Sequence, residues 1–322
     1  MNRRNFLKNS ALAAAIAASP LSLRSGLGSE TAWKTKLKKA LIGGYPTEDV
    51  LSLWKRNGFT GMESTDWQAG TEKAEKARLV AEKLEMEIHS VLRGWTNFNS
   101  PDTAQVQQDI ESVELTLQTA KGYGASAVLL VPCRTGGVLP KPDEFRVKFD
   151  PDTLMVSQVV EGDNTPYQGY IEAQNHATKT SIEAVRKLIP MAEKTGVVIA
   201  LENVWNNLWV TPDFFAAFVK SFRNPWIKAY FDLGNNVRYA KTEDYLYALG
   251  NEIVKLHVKD FRIDRSLPNH GQFVEIRTGS VNWPSVRKAI DDIGYNGYMT
   301  IEGGSDPIEK KSADLDLIIA GK

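Results

Sequence analysis

From about Lys38 onward, short apolar runs alternate with longer amphipathic segments, and each pair is punctuated by Gly, Asn or Pro. Few folds accommodate such a rhythm. Short β-branched runs bounded by turn residues read as buried strands, and the longer segments between them carry helical periodicity. Strands are expected over residues 39–43, 60–64, 87–92, 125–132, 197–202, 227–232, 253–257 and 298–302. The intervening helices fall over 47–58, 72–84, 103–123, 179–194, 211–222, 242–249 and 282–293, and a last one over 307–319 closes the ring. Eight strand and helix units in one chain of 322 residues predict a single α/β domain over 36–322, a TIM (β/α)8 barrel. The rhythm breaks once. Residues 134–174 are rich in Pro, Gly and Asp, too long for a simple connection, and are expected to form a loop inserted after strand four over the C-terminal mouth.

The first 30 residues do not belong to that pattern. Arg3-Arg4-Asn5-Phe6-Leu7-Lys8 precedes a modest apolar stretch over 11–23, the order of charged, apolar and small residues that export requires. This resembles a bacterial twin-arginine signal, which implies delivery of a folded protein to the periplasm. No later segment approaches the roughly 20 apolar residues of a membrane span, so no membrane association is expected after signal removal.

Charge narrows the partners. Lys plus Arg (39) equal Asp plus Glu (39), and no basic stripe stands out, which argues against nucleic acid and for a small-molecule substrate. Cys133 is the single cysteine, so no intrachain disulfide can form, and a buried inert thiol is the expectation. Homo-oligomerisation is left open.

Strands five to eight each end in a residue able to bind a metal: Glu202, Asp232, His257 and Glu302. In a parallel barrel all strand C-termini meet at one face, so these four are expected to converge on a single point. Three carboxylates gathered in a dry site repel one another, and a divalent cation is the simplest way to keep them ionised. The mostly oxygen donor set suits Mn²⁺, Mg²⁺ or Co²⁺, and Zn²⁺ is also compatible.

The segments Ala200-Leu-Glu-Asn203, Tyr230-Phe-Asp-Leu-Gly-Asn235, Val254-Lys-Leu-His-Val-Lys-Asp260 and Thr300-Ile-Glu-Gly303 resemble the xylose isomerase-like TIM barrels, the sugar phosphate isomerase/epimerase superfamily that also includes endonuclease IV. In its ketose 3-epimerases the equivalents of Glu202 and Glu302 both bind metal and face each other across the substrate. The resemblance implies the same two catalytic roles here: proton abstraction next to a carbonyl through an enediolate, giving an isomerase or epimerase. Elimination from a 3-keto-glycoside or an inosose-like ring, as in a lyase or dehydratase, would share the first step. A non-catalytic carbohydrate-binding barrel is the remaining alternative. Endonuclease chemistry in this family uses three zinc ions and more histidines than the four in this chain.

Two departures bear on the substrate. Many ketose epimerases carry a histidine where this chain has Asn235, and their second glutamate after strand five is replaced by Asn203-Val-Trp-Asn-Asn-Leu208. Asn235, and Asn206 or Asn207, are expected to contact the substrate instead; His89 on strand three, Lys259 two residues beyond His257, and Trp95 are further expected contacts, with Trp205 and Trp209 as further apolar walls. His176 and His270 are expected in solvated loops.

Overall fold

A computed structural model describes residues 33–135 and 139–322, and the leader expected over 1–30 lies outside the described residues. Eight strands, β1 (Leu37–Gly43), β2 (Gly61–Ser64), β3 (Glu87–Trp95), β4 (Ala127–Val131), β5 (Val198–Glu202), β6 (Ile227–Asp232), β7 (Ile253–Val258) and β8 (Gly297–Ile301), form one closed parallel barrel in sequential order. Closure comes from β1 on β8, in register from Leu37 opposite Gly297 to Leu41 opposite Ile301. The expected TIM barrel is what the chain forms.

Among the described residues, eight α-helices lie between and after the strands: α1 (Glu48–Arg56), α2 (Thr71–Lys83), α3 (Thr103–Tyr123), α4 (Gln168–Thr195), α5 (Pro212–Lys220), α6 (Thr242–Leu249), α7 (Trp283–Asp292) and α8 (Ile308–Ile319). Their ends follow local chemistry. The Asp102 carboxylate accepts from the Ala104 amide to start α3, and Gly124 ends it in the left-handed conformation (φ 74°) that only glycine adopts without strain. None of the helices among the described residues is long and apolar enough to cross a membrane.

The insertion after β4 is a built structure rather than a bare loop. An antiparallel pair, Lys148–Phe149 with Val156–Gln158, lies in it, and Phe145, Leu154, Val156 and Val159 are buried. It ends earlier than expected. Helix α4 starts at Gln168, eleven residues before the expected 179, because Tyr170, Ile171, Gln174, Ala177, Thr178 and Ser181 form a buried helical stripe that the polar composition obscured. A second antiparallel ribbon, Asp260–Ile263 with Gly271–Val274, follows β7 and was not foreseen.

Strand parity decides what the barrel encloses. Residues two apart share a face, so Ala200 with Glu202, Tyr230 with Asp232, Lys255 with His257 and Thr300 with Glu302 all point to the axis. Helices cover the outer face with the larger apolar core, whereas inside the barrel Ala127, Leu129, Val131, Ala200 and Tyr230 pack together. Above them the interior turns polar.

Candidate metal centre at the barrel mouth

Glu202 ends β5, Asp232 ends β6, His257 lies one residue before the end of β7, and Glu302 follows β8 directly. Cross-strand register sets Asp232 beside His257, and His257 beside Thr300. One donor atom from each of the four residues lies within 4.8 Å of the others, the convergence that strand order implied. His257 Nδ1 is 3.0 Å from Glu202 Oε1 and 3.2 Å from Glu302 Oε2.

The other imidazole nitrogen faces a residue that sequence reasoning missed. Glu63, buried on β2, brings Oε2 to 2.5 Å from His257 Nε2, while its Oε1 accepts from the Ser90 hydroxyl at 2.8 Å. A neutral imidazole has one N–H and here has acceptors at both ends. Either the ring carries two protons, or Nε2–H serves Glu63 and the Nδ1 lone pair faces a cation. Burial acts to lower the His257 pKa, but the Tyr230 oxygen and the Glu63, Glu202 and Glu302 carboxylates outweigh it and hold the ring well above the usual range. A metal ion would take the place of that second proton. Glu63 was legible as an inward-parity carboxylate at the end of a short strand, the same signal that marked Glu202.

Asp232 is held by its neighbours and leaves one oxygen over. Its Oδ1 accepts from the amides of Gly234 (2.8 Å) and Asn235 (2.6 Å), while buried Oδ2 has no hydrogen-bond partner and lies 3.7 Å from the Lys259 ammonium. A buried carboxylate oxygen without a hydrogen bond costs free energy that the Lys259 ion pair at 3.7 Å offsets in part and a metal ion would offset further. This orphan and the doubly faced imidazole fit the four residues to a divalent ion. Asn203, also unforeseen, fastens β5 to β6: its Nδ2 donates to the Asp232 carbonyl at 2.9 Å and its Oδ1 accepts the Asp232 amide at 2.7 Å. Gly234 lets the next turn close, since a Cβ there would stand 2.5 Å from the Lys259 carbonyl oxygen.

The carboxylates are not equivalent. Burial pushes Glu202 up to about 7 and Asp232 up to about 6. At Glu302 burial acts the same way but is outweighed by His257 and by Lys259, whose ammonium is 2.7 Å away, so that this carboxyl stays well below the usual range.

Beside the cluster opens a cavity of about 230 Å³ lined by Glu202, Glu302, Trp95, Trp205, Asn235 and Lys259, among others. Thus Trp95, Asn235 and Lys259 lie where substrate contacts were expected. Two others do not. His89 is sealed beneath the cluster, stacked on Tyr298 with ring centroids 4.3 Å apart and its Nε2 3.1 Å from the Thr300 hydroxyl. It sits too near the strand starts to reach a ligand at the mouth. Asn206 is buried and spends its side chain on the chain itself, donating to the Cys133 carbonyl and accepting from the Leu208 amide. Trp209 is core, stacked on Phe218 at 3.9 Å. His176 lies exposed on α4 rather than in a loop. Cys133 is fully buried, and that burial pushes its thiol up to about 12.

Comparison with known proteins places this architecture. An uncharacterised protein of Methanocaldococcus jannaschii is 25% identical over 131 residues, 38% of this chain, and the match spans only 42% of that protein. Among solved structures, 3-keto-D-glucoside 4-epimerase from E. coli superposes with a TM-score of 0.63 at 14% identity, covering 88% of this chain and 99% of that one. D-psicose 3-epimerase from Clostridium cellulolyticum, solved with D-tagatose, gives 0.63 at 15% identity, covering 87% and 98%. A xylose isomerase-like TIM barrel protein from Mycobacterium smegmatis in complex with magnesium gives 0.60 at 18%, covering 91% and 97%. At such identities these likenesses establish the fold. The sequence model described as "xylose isomerase-like TIM barrel" matches residues 51–318, most of the chain, and the protein belongs to that family.

Proposed function

We propose that this protein is a divalent-metal-dependent sugar isomerase or epimerase that works by proton transfer next to a substrate carbonyl. The observation that carries this reading is the position of Glu202 and Glu302, which approach His257 Nδ1 at 3.0 and 3.2 Å within a four-donor cluster beside a small cavity. Glu202, Asp232, His257 and Glu302 would hold Mn²⁺, Mg²⁺ or Co²⁺, with Zn²⁺ also compatible. Such an ion, when bound, supplies Lewis-acid polarisation of a carbonyl and an adjacent hydroxyl.

One glutamate takes the proton beside the carbonyl. If the other returns a proton to the opposite face, the carbon is inverted; return to the neighbouring carbon interconverts ketose and aldose. Lys259 keeps Glu302 ionised and presents a donor to a substrate oxygen. Trp95, Trp205 and Phe273 offer apolar faces to a sugar ring. At about 230 Å³ the cavity is smaller than the roughly 300–1,000 Å³ of drug-sized sites, which suits a single ring. Likeness to an epimerase of 3-keto-D-glucosides and to one solved with D-tagatose supports carbonyl sugars as the substrate class.

A lyase or dehydratase acting on 3-keto-glycosides begins with the same proton abstraction and is the second reading; the likeness to a 3-keto-D-glucoside 4-epimerase supports its substrate class. The Arg3-Arg4 leader supports export to the periplasm, testable by fractionation and by sequencing the mature N-terminus. For the activity, metal-loaded protein is incubated in D₂O with free ketoses and with 3-keto-glucosides. Deuterium at the carbon next to the carbonyl, abolished by EDTA, is the expected result, and the product separates epimer from eliminated sugar. A protein that binds sugars without exchanging any carbon-bound proton would be a carbohydrate-binding barrel.

A further inference from the structure

A second cavity, of about 680 Å³, lies between the insertion after β4, the segment after β6 and the ribbon after β7. Its lining includes Phe145, Arg146, Tyr167, Arg238, Tyr239 and Arg265. The charges are unevenly matched. Glu144 is shared by Arg265 (3.3 Å) and Arg146 (3.7 Å), and Asp143 meets His270 Nε2 at 3.3 Å. Arg238 has no carboxylate or hydrogen-bond partner among the described residues. Its guanidinium instead lies over the Tyr239 ring at 4.7 Å and the Trp205 ring at 5.6 Å. Lys141 adds to the positive field: its pKa is lowered by burial and then by Arg238.

A half-buried guanidinium held over aromatic rings presents its donors as a planar fork, the geometry that a carboxylate meets with two parallel hydrogen bonds. Phe145, Tyr167 and Tyr239 supply the apolar faces against which a pyranose ring packs. Trp205 joins this cavity to the metal centre. Arg238 covers its ring, the same indole lines the mouth cavity, and its Nε1 donates to the Asn235 carbonyl at 2.5 Å. The two cavities are therefore linked through one contact, Arg238 lining this one and Trp205 lining the mouth.

We propose that this cavity binds a carboxylate-bearing sugar unit through Arg238, which makes the substrate an acidic saccharide larger than the single ring handled at the metal centre. The proposal rests on the reading of the mouth as a sugar site and names the class of sugar.

The test is titration of the EDTA-treated full chain with D-glucuronate, D-glucose and inorganic sulfate by calorimetry, in wild type, Arg238→Met and Arg238→Lys, with melting temperatures to confirm folding. Wild type should prefer glucuronate over glucose at least about tenfold, the worth of a charge-assisted hydrogen bond. Arg238→Met should abolish that preference, and Arg238→Lys, which keeps the charge without the fork, should retain part of it. Equal binding of the two sugars, an unchanged preference in a folded Arg238→Met protein, or sulfate competing as well as glucuronate would each overturn the assignment. Because the titration omits metal, uronate binding that depends on Arg238 supports this site even if no substrate exchanges a proton at the cluster. In that event the enzymatic reading alone falls.

Discussion

Replacing Glu63 by Gln isolates the effect of one buried charge on the candidate metal centre. Both carboxylate oxygens are engaged, one with His257 Nε2 at 2.5 Å and the other with Ser90 at 2.8 Å, and the side chain is fully buried. Glutamine keeps the shape and one acceptor, so the imidazole hydrogen bond persists but passes from charge-assisted to neutral. Charge-assisted bonds contribute about 1.5–3 kcal/mol and neutral ones about 0.5–1.5, a difference near 1–1.5 kcal/mol. That corresponds to a roughly five- to fifteenfold rise in the Kd for Mn²⁺, at the lower end of the about 10–100-fold cost of losing a partner behind a metal ligand. The assay is Mn²⁺ titration followed by the paramagnetic signal of the free ion, with thermal unfolding in EDTA alongside. A change in Tm of no more than a few degrees is expected, because volume and pairing are kept. An unchanged Kd would refute the claim that Glu63 governs the donor strength of His257. Collapse of the EDTA-treated protein would show that its role is packing.

Replacing Asp232 by Asn removes the orphaned Oδ2 and its charge while leaving an Oδ1 acceptor for the Gly234 and Asn235 amides; Mn²⁺ affinity should fall by more than Glu63→Gln causes, with the fold retained by circular dichroism. Glu202→Gln and Glu302→Gln should each lower deuterium incorporation into a turned-over sugar by about 10²–10⁴-fold, and a variant retaining full exchange would remove that glutamate from proton transfer. Gly234→Ala puts a Cβ 2.5 Å from the Lys259 carbonyl oxygen and should cost about 1–3 kcal/mol, read by urea denaturation. Cys133, its thiol raised to about 12, has a folded pKa above the unfolded one; at pH 8 its thiolate is on the order of 10⁻⁴ of the total, so a disulfide reagent should label it only after denaturant is added.

Much of the candidate site was legible because a parallel barrel turns strand position into spatial position. Glu202, Asp232, His257 and Glu302 could be paired from sequence since strand ends meet at one face and inward residues recur every second position. The same rule reached Lys259, whereas Asn235 came from the family pattern and Trp95 from its aromatic face. It gave no depth along the axis, so His89 was expected at the mouth although it lies near the start of β3, under the cluster. Nor did it reveal how a polar side chain spends its hydrogen bonds: Asn206 resembles a sugar ligand until its partners turn out to be the Cys133 carbonyl and the Leu208 amide.

What sequence alone determined was the period: eight strand and helix alternations, one closed sheet, and the parity that aims four donors inward. These are local properties, set by side-chain spacing along a few residues. Only the tertiary structure decided that Glu63, 194 positions from His257, closes on its ring from across the barrel. It likewise decided that residues 168–178 join α4 and that the cavity's carboxylates, Asp143 and Glu144, pair with His270, Arg146 and Arg265 and leave Arg238 without one. Such contacts depend on which distant segments pack together, and a linear pattern of apolar and polar residues carries no term for the distance between them.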